Sequence, residues 1–376
     1  MYKHKRKATV HYPKILETNN YTGDIYGNFF KNSNQYNIIE NTKKQEYNLI
    51  GTIYKIKNDI PEVKEDYLVG YYEDKKLVFI QNKSKCIQKP YELTLNIFSR
   101  NTGILETDKM LNKSVIISGC GSVGSLVALE LARSGVGKFL LIDNDIFEYH
   151  NICRHQCGIK DVGKFKVDAL EERILDIYPQ AIIEKETNIL EKVRKSRFDK
   201  FCNEETVIIG CADNRDGDIY ANKISYLYNI PFVSIGFWER AFAGEVFYSI
   251  PKKTPCYFCQ FGSISKKEDS RVNANHRFYV DEKELEETTF EPAIYTDINF
   301  VTNIGIKLII DIFNKDNDEY IPKVINYLSQ YTLICNTNDT RIGGDMAEIF
   351  SHPLQITTSI KVLKQKNCPI CSLIDD

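Results

Sequence analysis

The 376-residue chain lacks the features that mark membrane and nucleic-acid-binding proteins. No apolar run approaches the roughly 18 residues needed to cross a bilayer, so we predict no membrane-spanning segment. Neither sign of charge dominates, because 49 Lys and Arg are balanced by 51 Asp and Glu for a net charge of -2. Binding to nucleic acid or to an anionic membrane usually needs a basic excess, and neither partner is predicted.

The chain also lacks a secretory signal and a dense cysteine framework. Its first residues, MYKHKRK, are basic, but no apolar segment follows them as it does in a signal peptide. The eleven cysteines are scattered instead of having the regular, close spacing of small secreted scaffolds. We therefore expect a soluble protein of the reducing cytoplasm.

Residues 1–105 differ in composition from the rest of the chain. They are rich in Tyr, Asn and Lys, and short β-prone runs are separated by Asn, Asp and Pro. The runs are QYNII, LIGTIYKI, DYLVGYY and KLVFIQ. This pattern predicts a small α+β module, for which a winged-helix arrangement is one option, followed by a second domain at 106–376.

From Lys113 onward, strands and helices alternate. KSVIISG predicts a buried strand, SVGSLVALELARSG a helix closed by Gly135, and KFLLID a second buried strand. The alternation continues with KVDALEERILDIYP, TVIIGC, DIYANKISYLYN and PFVSIGF. Such alternation produces right-handed crossovers between parallel strands, so we predict a doubly wound α/β domain with a mostly parallel sheet.

The first strand of this domain leads into a glycine turn, GCGSVG. Gly119 permits the tight turn, Gly121 lets a phosphate approach the backbone, and Gly124 lets helix and strand pack closely. Asp143 ends the next strand, where NAD-binding enzymes place the acid that binds the ribose. These four residues leave open whether the nucleotide is NAD or ATP.

The segments after Asp143 carry more charge than a nicotinamide needs. DNDIFEYHNICRH, DVGKFKVDAL and GCADNRDG add the side chains of Asp145, Asn151, Arg154, Lys166 and Asp213. A triphosphate needs cations to neutralise its oxygens and carboxylates to hold the accompanying Mg²⁺. The set therefore predicts ATP with Mg²⁺, although a helix-capping or turn role explains Asp213 equally well.

These motifs, in this order, resemble those of the ubiquitin-activating superfamily, which includes the ThiF, MoeB and MccB-like adenylyltransferases. The family pattern runs Gly-x-Gly-x-x-Gly, Asp-x-Asp, Asn-Leu-x-Arg-Gln, Gly-x-x-Lys, and a strand ending in Asp-Asn. This chain has GCGSVG, DND, NICRH, GKFK and ADN, within a resemblance that spans roughly residues 98–376. The resemblance implies a Rossmann-like fold and the formation of an acyl- or peptidyl-adenylate from ATP.

The resemblance also implies roles for individual residues. Asp143 would bind the ribose, and Asp145 and Asp213 would serve Mg²⁺ or the phosphates. Contacts to the triphosphate would come from Asn151, Arg154 and Lys166.

Two further positions bear on the resemblance. His155 stands where the family usually has Gln, which leaves one polar contact undetermined. Upstream, SRNTGILETDKML resembles the segment from which family members lend an arginine to the active site of a partner subunit. Arg100 is the candidate, and a homodimer is implied. A surface arginine near a domain junction explains Arg100 equally well.

Two Cys-x-x-Cys pairs, CYFC and CPIC, predict a structural Zn²⁺ site. Two such pairs supply the four thiolates of a closed tetrahedral site. The ligands would be Cys256, Cys259, Cys368 and Cys371, so that the metal fixes the C-terminal segment to the domain. A redox dithiol is the alternative.

The region between these pairs bears on the chemistry. No cysteine occurs between residues 260 and 334, where the conjugating branch of the superfamily usually carries the thiol that captures the activated carboxylate as a thioester. Cys335 is a remaining candidate, but a buried strand thiol explains it better. The gap favours the MccB-like branch, in which an N-terminal module binds the substrate peptide. A dimerisation module or a lid fits residues 1–105 nearly as well.

We therefore predict an ATP-dependent adenylyltransferase that activates the C-terminus of a peptide or small protein during peptide maturation. An activating enzyme for a ubiquitin-like or sulfur-carrier protein is the first alternative. A non-catalytic scaffold that binds a leader peptide is the second. An NAD dehydrogenase ranks last, because we find no acid–base residue for hydride transfer.

Overall fold

The computed structural model describes residues 7–40, 47–212, 214–238, 241–262, 293–336, 357–366 and 368–374. The chain divides into two compact units, Met1–Arg100 and Asn101–Asp376. The division falls close to residue 105, where the change in composition places the boundary. Within the described ranges, no helix is both long and apolar enough to span a membrane.

The first unit is built on one sheet of eight strands in the order β7-β6-β5-β4-β2-β3-β1-β8. The strands are β1 (Thr9–Pro13), β2 (Gly23–Phe30), β3 (Gln35–Glu40), β4 (Asn48–Tyr54), β5 (Leu68–Glu73), β6 (Lys76–Gln81), β7 (Ser84–Lys85) and β8 (Ile87–Tyr91). The α-helices described in this unit are α1 (Lys14–Thr18) and α2 (Leu93–Ile97), each of five residues. A winged-helix arrangement needs a helical core, so a mainly β module replaces that option.

One segment, residues 84–91, links the two ends of the sheet of the first unit. The amide of Cys86 donates to the carbonyl oxygen of Phe79 in β6 at 2.8 Å, and the next amide, Ile87, donates to the carbonyl oxygen of Ala8 beside β1 at 2.7 Å. Successive amides of an extended strand point to opposite sides, so β7 and β8 together join the two ends of the sheet. Buried side chains that form the core of this unit include Val10, Ile25, Tyr36, Ile38 and Phe79.

The second unit has a sheet in the order β11-β10-β9-β12-β13-β14-β15-β16. Its strands are β9 (Ser114–Ser118), β10 (Lys138–Ile142), β11 (Ile182–Glu186), β12 (Thr206–Gly210), β13 (Phe232–Phe237), β14 (Ala243–Ser249), β15 (Tyr331–Cys335) and β16 (Thr357–Ile360). The strands from β11 to β13 are parallel, and β14 to β16 add antiparallel pairs at one edge.

The helices of the second unit are α3 (Thr107–Leu111), α4 (Ser122–Arg133), α5 (Lys166–Ile177), α6 (Lys195–Phe201), α7 (Arg215–Tyr228), α8 (Tyr257–Phe261) and α9 (Tyr295–Phe313). They cover both faces of the sheet. Val115 and Ile117 of β9 pack in a core with α4, α5 and α9, whereas Ile116 packs in a second core with α6, α7 and α8. Successive strand residues point to opposite faces. The predicted doubly wound α/β fold with a mostly parallel sheet is therefore confirmed.

Candidate active site and four-cysteine cluster

A cleft of about 650 Å³ opens at the carboxyl ends of β9, β10 and β12. Its position follows from the strand order, because β10 and β12 lie on opposite sides of β9 and ligand crevices open at such a reversal. Of the predicted residues, the cleft brings together Gly119, Gly121, Asp143, Asp145, Asn151, Arg154 and Lys166.

Two of the predicted residues do not line the cleft, and a third lies outside the described residues. Gly124 lies within α4, under the glycine turn. Asp213 lies outside the described residues, although its neighbours Ala212 and Asn214 line the cleft. Arg100 is an exposed residue of the first unit, and its contribution to a partner's site stays a prediction.

The three glycines of the turn meet different surroundings. Gly119 has a φ of 92°, and a Cβ there would lie 2.8 Å from backbone atoms of Cys211 and Ala212. A Cβ on Gly124 would overlap the carbonyl oxygen of Gly119. A Cβ on Gly121 would have no described atom within 4 Å, so the turn is open towards the cleft at that position. Gly119 and Gly124 are thus required by the close approach of neighbouring backbone atoms, and Gly121 leaves room for a ligand.

Asp143 ties the glycine turn to the end of β10. Its Oδ2 accepts from the amide of Cys120 at 2.7 Å, and its Oδ1 accepts from the amide of Asp145 at 2.8 Å. Burial raises the pKa of Asp143 above its ordinary value, against the lowering effect of these two amides and of Lys166. Each carboxylate oxygen has a second acceptor site, so both can still receive a ligand hydroxyl.

An ion pair between Lys166 and Asp145 lies in the cleft. Lys166 is the first residue of α5, and its Nζ lies 2.6 Å from Oδ2 of Asp145. The lysine side chain is 11% exposed and the aspartate side chain 59% exposed. Nearby, Oδ1 of Asn151 accepts from the amide of Glu148 at 2.8 Å, which holds the segment that carries Arg154. The arrangement offers cations to phosphates and a carboxylate to a hard metal ion.

His155 also lines the cleft, and the sequence alone gave it no role. Its Nδ1 accepts from the amide of Cys157 at 3.0 Å, so the ring proton is on Nε2, which donates to the carbonyl oxygen of Cys120 at 2.8 Å. Burial lowers the pKa of His155 to about 4, so the ring is neutral at physiological pH. The ring meets Phe147 edge-on with centroids 4.9 Å apart. His155 thus holds the glycine turn through its carbonyl side, while Asp143 holds the amide side.

Other lining residues were missed by sequence reasoning. They include Ser118, Ser122, Asn188, Asn214 and Trp238. Asn188 follows β11, an edge strand whose sequence IIEKE has too few apolar residues to be recognised as buried. Asn214 was visible as part of the ADN motif, and its Oδ1 caps α7 by accepting from the amide of Gly217 at 2.6 Å.

The two Cys-x-x-Cys pairs meet in one buried cluster. The sulfur atoms of Cys256, Cys259, Cys368 and Cys371 all lie within 4.8 Å of one another, and none forms a disulfide. The Sγ–Sγ distance is 3.6 Å from Cys259 to both Cys256 and Cys371, and 3.1 Å from Cys256 to Cys368. Tetrahedral Zn²⁺ with Zn–S bonds of about 2.3 Å would hold its sulfurs about 3.8 Å apart, so the donor set fits a closed structural site.

Cys335 has the environment of an inert thiol. It lies in β15 with a relative exposure of 1%, and burial raises its pKa above the ordinary value. Nucleophilic thiols are accessible and have lowered pKa values, so this environment disfavours Cys335 as a thioester-forming residue.

The strand order and the cleft define an α/β protein with a Rossmann-like fold. A family model described as "ThiF family" matches residues 93–348, which is more than half of the chain. The protein belongs to the ThiF family.

Curated relatives match only part of the chain. Ubiquitin-like modifier-activating enzyme 5 of Caenorhabditis elegans is 29% identical over 164 residues, or 41% of this chain and 39% of that protein. The protein of the same name from Dictyostelium discoideum is 30% identical over 161 residues, or 40% of this chain and 42% of its own length. This chain therefore spans about two-fifths of the length of these relatives.

Solved structures of E. coli MccB share the fold. The crystal structure of MccB with ATP has a TM-score of 0.52 and 22% identity, over 75% of this chain and 76% of that one. The structure of MccB with AMPCPP and MccA has the same TM-score, identity and coverage. At this identity the likeness concerns the fold.

Proposed function

We propose that this protein is an ATP-dependent adenylyltransferase that activates the C-terminus of a peptide or small protein. The observation that carries the proposal is the composition of one cleft. An open glycine turn at Gly121, the partly buried acid Asp143, and the cations Lys166 and Arg154 all line it, at the carboxyl ends of parallel strands. Membership of the ThiF family supports the same activity.

In the proposed reaction, a carboxylate oxygen of the substrate attacks the α-phosphorus of ATP. A bond forms between that oxygen and phosphorus, the bond from phosphorus to the bridging oxygen of the β-phosphate breaks, and pyrophosphate leaves with the electron pair. Lys166 and Arg154 spread the negative charge that develops on the phosphates, and Asp143 orients the ribose. Positioning and electrostatic stabilisation supply most of the rate enhancement, so no side-chain nucleophile is needed.

Mg²⁺ would be held by Asp145 and Asp213. The carboxylate of Asp145 is 59% exposed in the cleft, and carboxylate oxygens are the ligands that this hard cation prefers. When bound, the ion would neutralise phosphate charge.

Zn²⁺ in the four-cysteine cluster would have a structural role, because four thiolates leave no open coordination position.

Two observations favour a peptide over a ubiquitin-like carrier as the substrate. The segment 260–334 has no cysteine to form a thioester, and Cys335 is buried. The second is the fold that the chain shares with MccB, which has been solved with MccA. The names of the matching activating enzymes nevertheless make a ubiquitin-like or sulfur-carrier protein the second candidate. A catalytically inactive scaffold is the third, and the retained Arg154 and Lys166 count against it.

Partner and assembly follow from the same proposal. The first unit would bind the substrate peptide, and Arg100 would complete the site of the second subunit in a homodimer.

The test is exchange of radiolabelled pyrophosphate into ATP, with purified protein, Mg²⁺, a panel of peptides with free C-termini, and small ubiquitin-like proteins. Exchange requires a reversible adenylate. Exchange that depends on a peptide supports the proposal, and exchange only with a folded carrier supports the second candidate. ATP binding without exchange for any member of the panel would favour the scaffold.

A further inference from the structure

The first turn of α7 has one side that faces the cleft and another that is buried. Asn214 and Gly217 line the cleft. Arg215 and Asp218 are buried, with relative exposures of 6% and 1%, and bond to groups outside the cleft. Because α7 follows β12 at the carboxyl edge of the sheet, any shift of Arg215 along the helix axis also moves the cleft wall at Asn214.

Arg215 is bound to the four-cysteine knuckle, which we define as residues 256–261 and 368–371. Its Nη1 donates to Oε1 of Glu245 at 2.9 Å and to the hydroxyl of Tyr257 at 3.1 Å, and its Nη2 lies 3.3 Å from Oε2 of Glu245. The guanidinium lies 4.1 Å from the ring centroid of Phe261. Tyr257 stands between two of the cysteines, and Phe261 ends α8, so both partners move with the knuckle.

The same knuckle residue also reaches the rest of α7. The hydroxyl of Tyr257 lies 3.4 Å from Oδ2 of Asp218, which also accepts from Ser234 at 2.7 Å. The amide of Tyr257 donates to Oδ1 of Asn222 at 2.8 Å. Three residues of α7, spread over about two turns, are therefore bound to one residue of the cysteine-bearing segment.

A buried ion pair such as Arg215–Glu245 is weak evidence for stability, because apolar residues of similar volume often stabilise a core as well or better. Its geometric effect is clearer. The carboxylate of Glu245 accepts hydrogen bonds from both terminal nitrogens of the Arg215 guanidinium. It also accepts one from the hydroxyl of Tyr331 at 2.8 Å, so the charged groups have one well-defined arrangement. Such a network fixes the position of the helix start more than it adds free energy.

We propose that Arg215 is a positioning residue that couples the four-cysteine knuckle to the nucleotide cleft, so that the cleft has full affinity for ATP only when the knuckle is intact. The inference rests on the proposed function in taking ATP as the ligand of the cleft. It adds that metal occupancy of the four cysteines controls nucleotide binding through the first turn of α7.

The test uses the full chain and a matched pair of hydroxyl deletions. Tyr257→Phe removes the hydroxyl that bonds Arg215 and Asp218 but keeps the ring that packs on Phe232 and Phe247. Tyr228→Phe is the control, because its hydroxyl lies at the other end of α7 and donates to Oδ1 of Asp199 at 2.7 Å. Binding of ATP is followed by the fluorescence of Trp238, the only tryptophan in the chain, which lines the cleft.

We expect Tyr257→Phe to retain its metal content and to raise the Kd for ATP about fivefold or more, a typical size for coupling between sites. Tyr228→Phe should leave the Kd unchanged. Removing the metal from the wild type with a chelator should raise the Kd similarly, and should raise it little further in an Arg215→Met/Glu245→Leu double variant. An unchanged Kd in Tyr257→Phe, or fully additive effects of chelation and the double variant, would overturn the inference.

A second measurement separates this inference from the proposed function. Hydrogen exchange of residues 214–222 is compared with and without metal, in the wild type and in the double variant. Faster exchange on metal removal in the wild type alone supports the coupling even if ATP does not bind, in which case the proposed function fails instead. Equal changes in both proteins would refute the coupling.

Discussion

Nε2 of His155 donates to the carbonyl oxygen of Cys120 at 2.8 Å, which fixes a histidine ring beneath the glycine turn. The pKa of His155 is lowered to about 4 in the folded state, below the usual value of 6.5, because the ring is buried. Protonation therefore favours the unfolded state. The contribution of the neutral His155 ring to the unfolding free energy is complete above pH 6.5 and is lost as the pH falls towards 4.

The corresponding prediction compares the wild type with His155→Gln. Between pH 7.5 and pH 5.0 the wild type should lose about 2 kcal/mol more unfolding free energy than the variant, because about 1.4 kcal/mol is lost per pH unit below the unfolded pKa. Urea denaturation at the two pH values measures this difference. An identical pH dependence in both proteins would show that His155 is not buried in its neutral form.

The glycine turn allows structural and ligand roles to be separated. Gly121→Ala should change the unfolding free energy by less than about 0.5 kcal/mol, because its Cβ meets no described atom within 4 Å. It should still weaken ATP binding, because the methyl group enters the space of the ligand. Gly124→Ala should destabilise the protein by more than about 2 kcal/mol, because its Cβ would overlap the carbonyl oxygen of Gly119. Thermal unfolding and nucleotide titration of both variants give the two readouts.

Lys166 and Lys164 form a matched pair of lysines. Lys166→Met should reduce pyrophosphate exchange about 100-fold, because the cation that stabilises the phosphates is lost from the cleft. Lys164 pairs with Asp161 and Glu172 and does not line the cleft, so Lys164→Met should retain nearly full exchange. Equal losses in the two variants would mean that general electrostatics, and not a specific contact, is responsible.

Asp213→Ala should abolish pyrophosphate exchange and leave the melting temperature unchanged if the residue serves Mg²⁺. Asp216→Ala, on the exposed side of the first turn of α7, is the control and should exchange normally. Retained exchange in Asp213→Ala would remove Asp213 from the proposed catalytic set and favour a turn role, because Asn214 is the residue that caps α7.

The four-cysteine cluster predicts one Zn²⁺ per chain. Cys368→Ser should lower the metal content well below one equivalent and lower the melting temperature, because the metal joins the C-terminal segment to α8 and a structural Zn²⁺ contributes directly to folding. Cys202→Ser, a partly buried thiol outside the cluster, should retain both. Elemental analysis with a thermal melt measures the effect. Full metal content in Cys368→Ser would exclude that cysteine as a ligand.

The buried part of the second unit could be predicted from the sequence because its strands are continuous apolar runs and its glycines obey local backbone rules. β11 could not, because it is an edge strand with alternating charges. Its Glu184 and Glu186 are neutralised by Arg197 of α6, a tertiary contact with Nη1 and Nε at 2.7 and 2.6 Å. The position of His155 against Cys120 depends likewise on residues that are distant in sequence and adjacent only after folding.

The strand order of the first unit has a consequence for protein synthesis. β1 forms no hairpin with its neighbour in sequence: it pairs in parallel with β3 and with β8, so that Thr9 meets Ile87. β1 must therefore wait for β8, the last strand of its unit, before both of its edges are paired. At roughly 5–20 residues per second, the nascent chain spends several seconds with β1 unprotected on one side. Slowing translation across residues 40–90 should prolong that interval and increase aggregation or chaperone capture of the nascent chain.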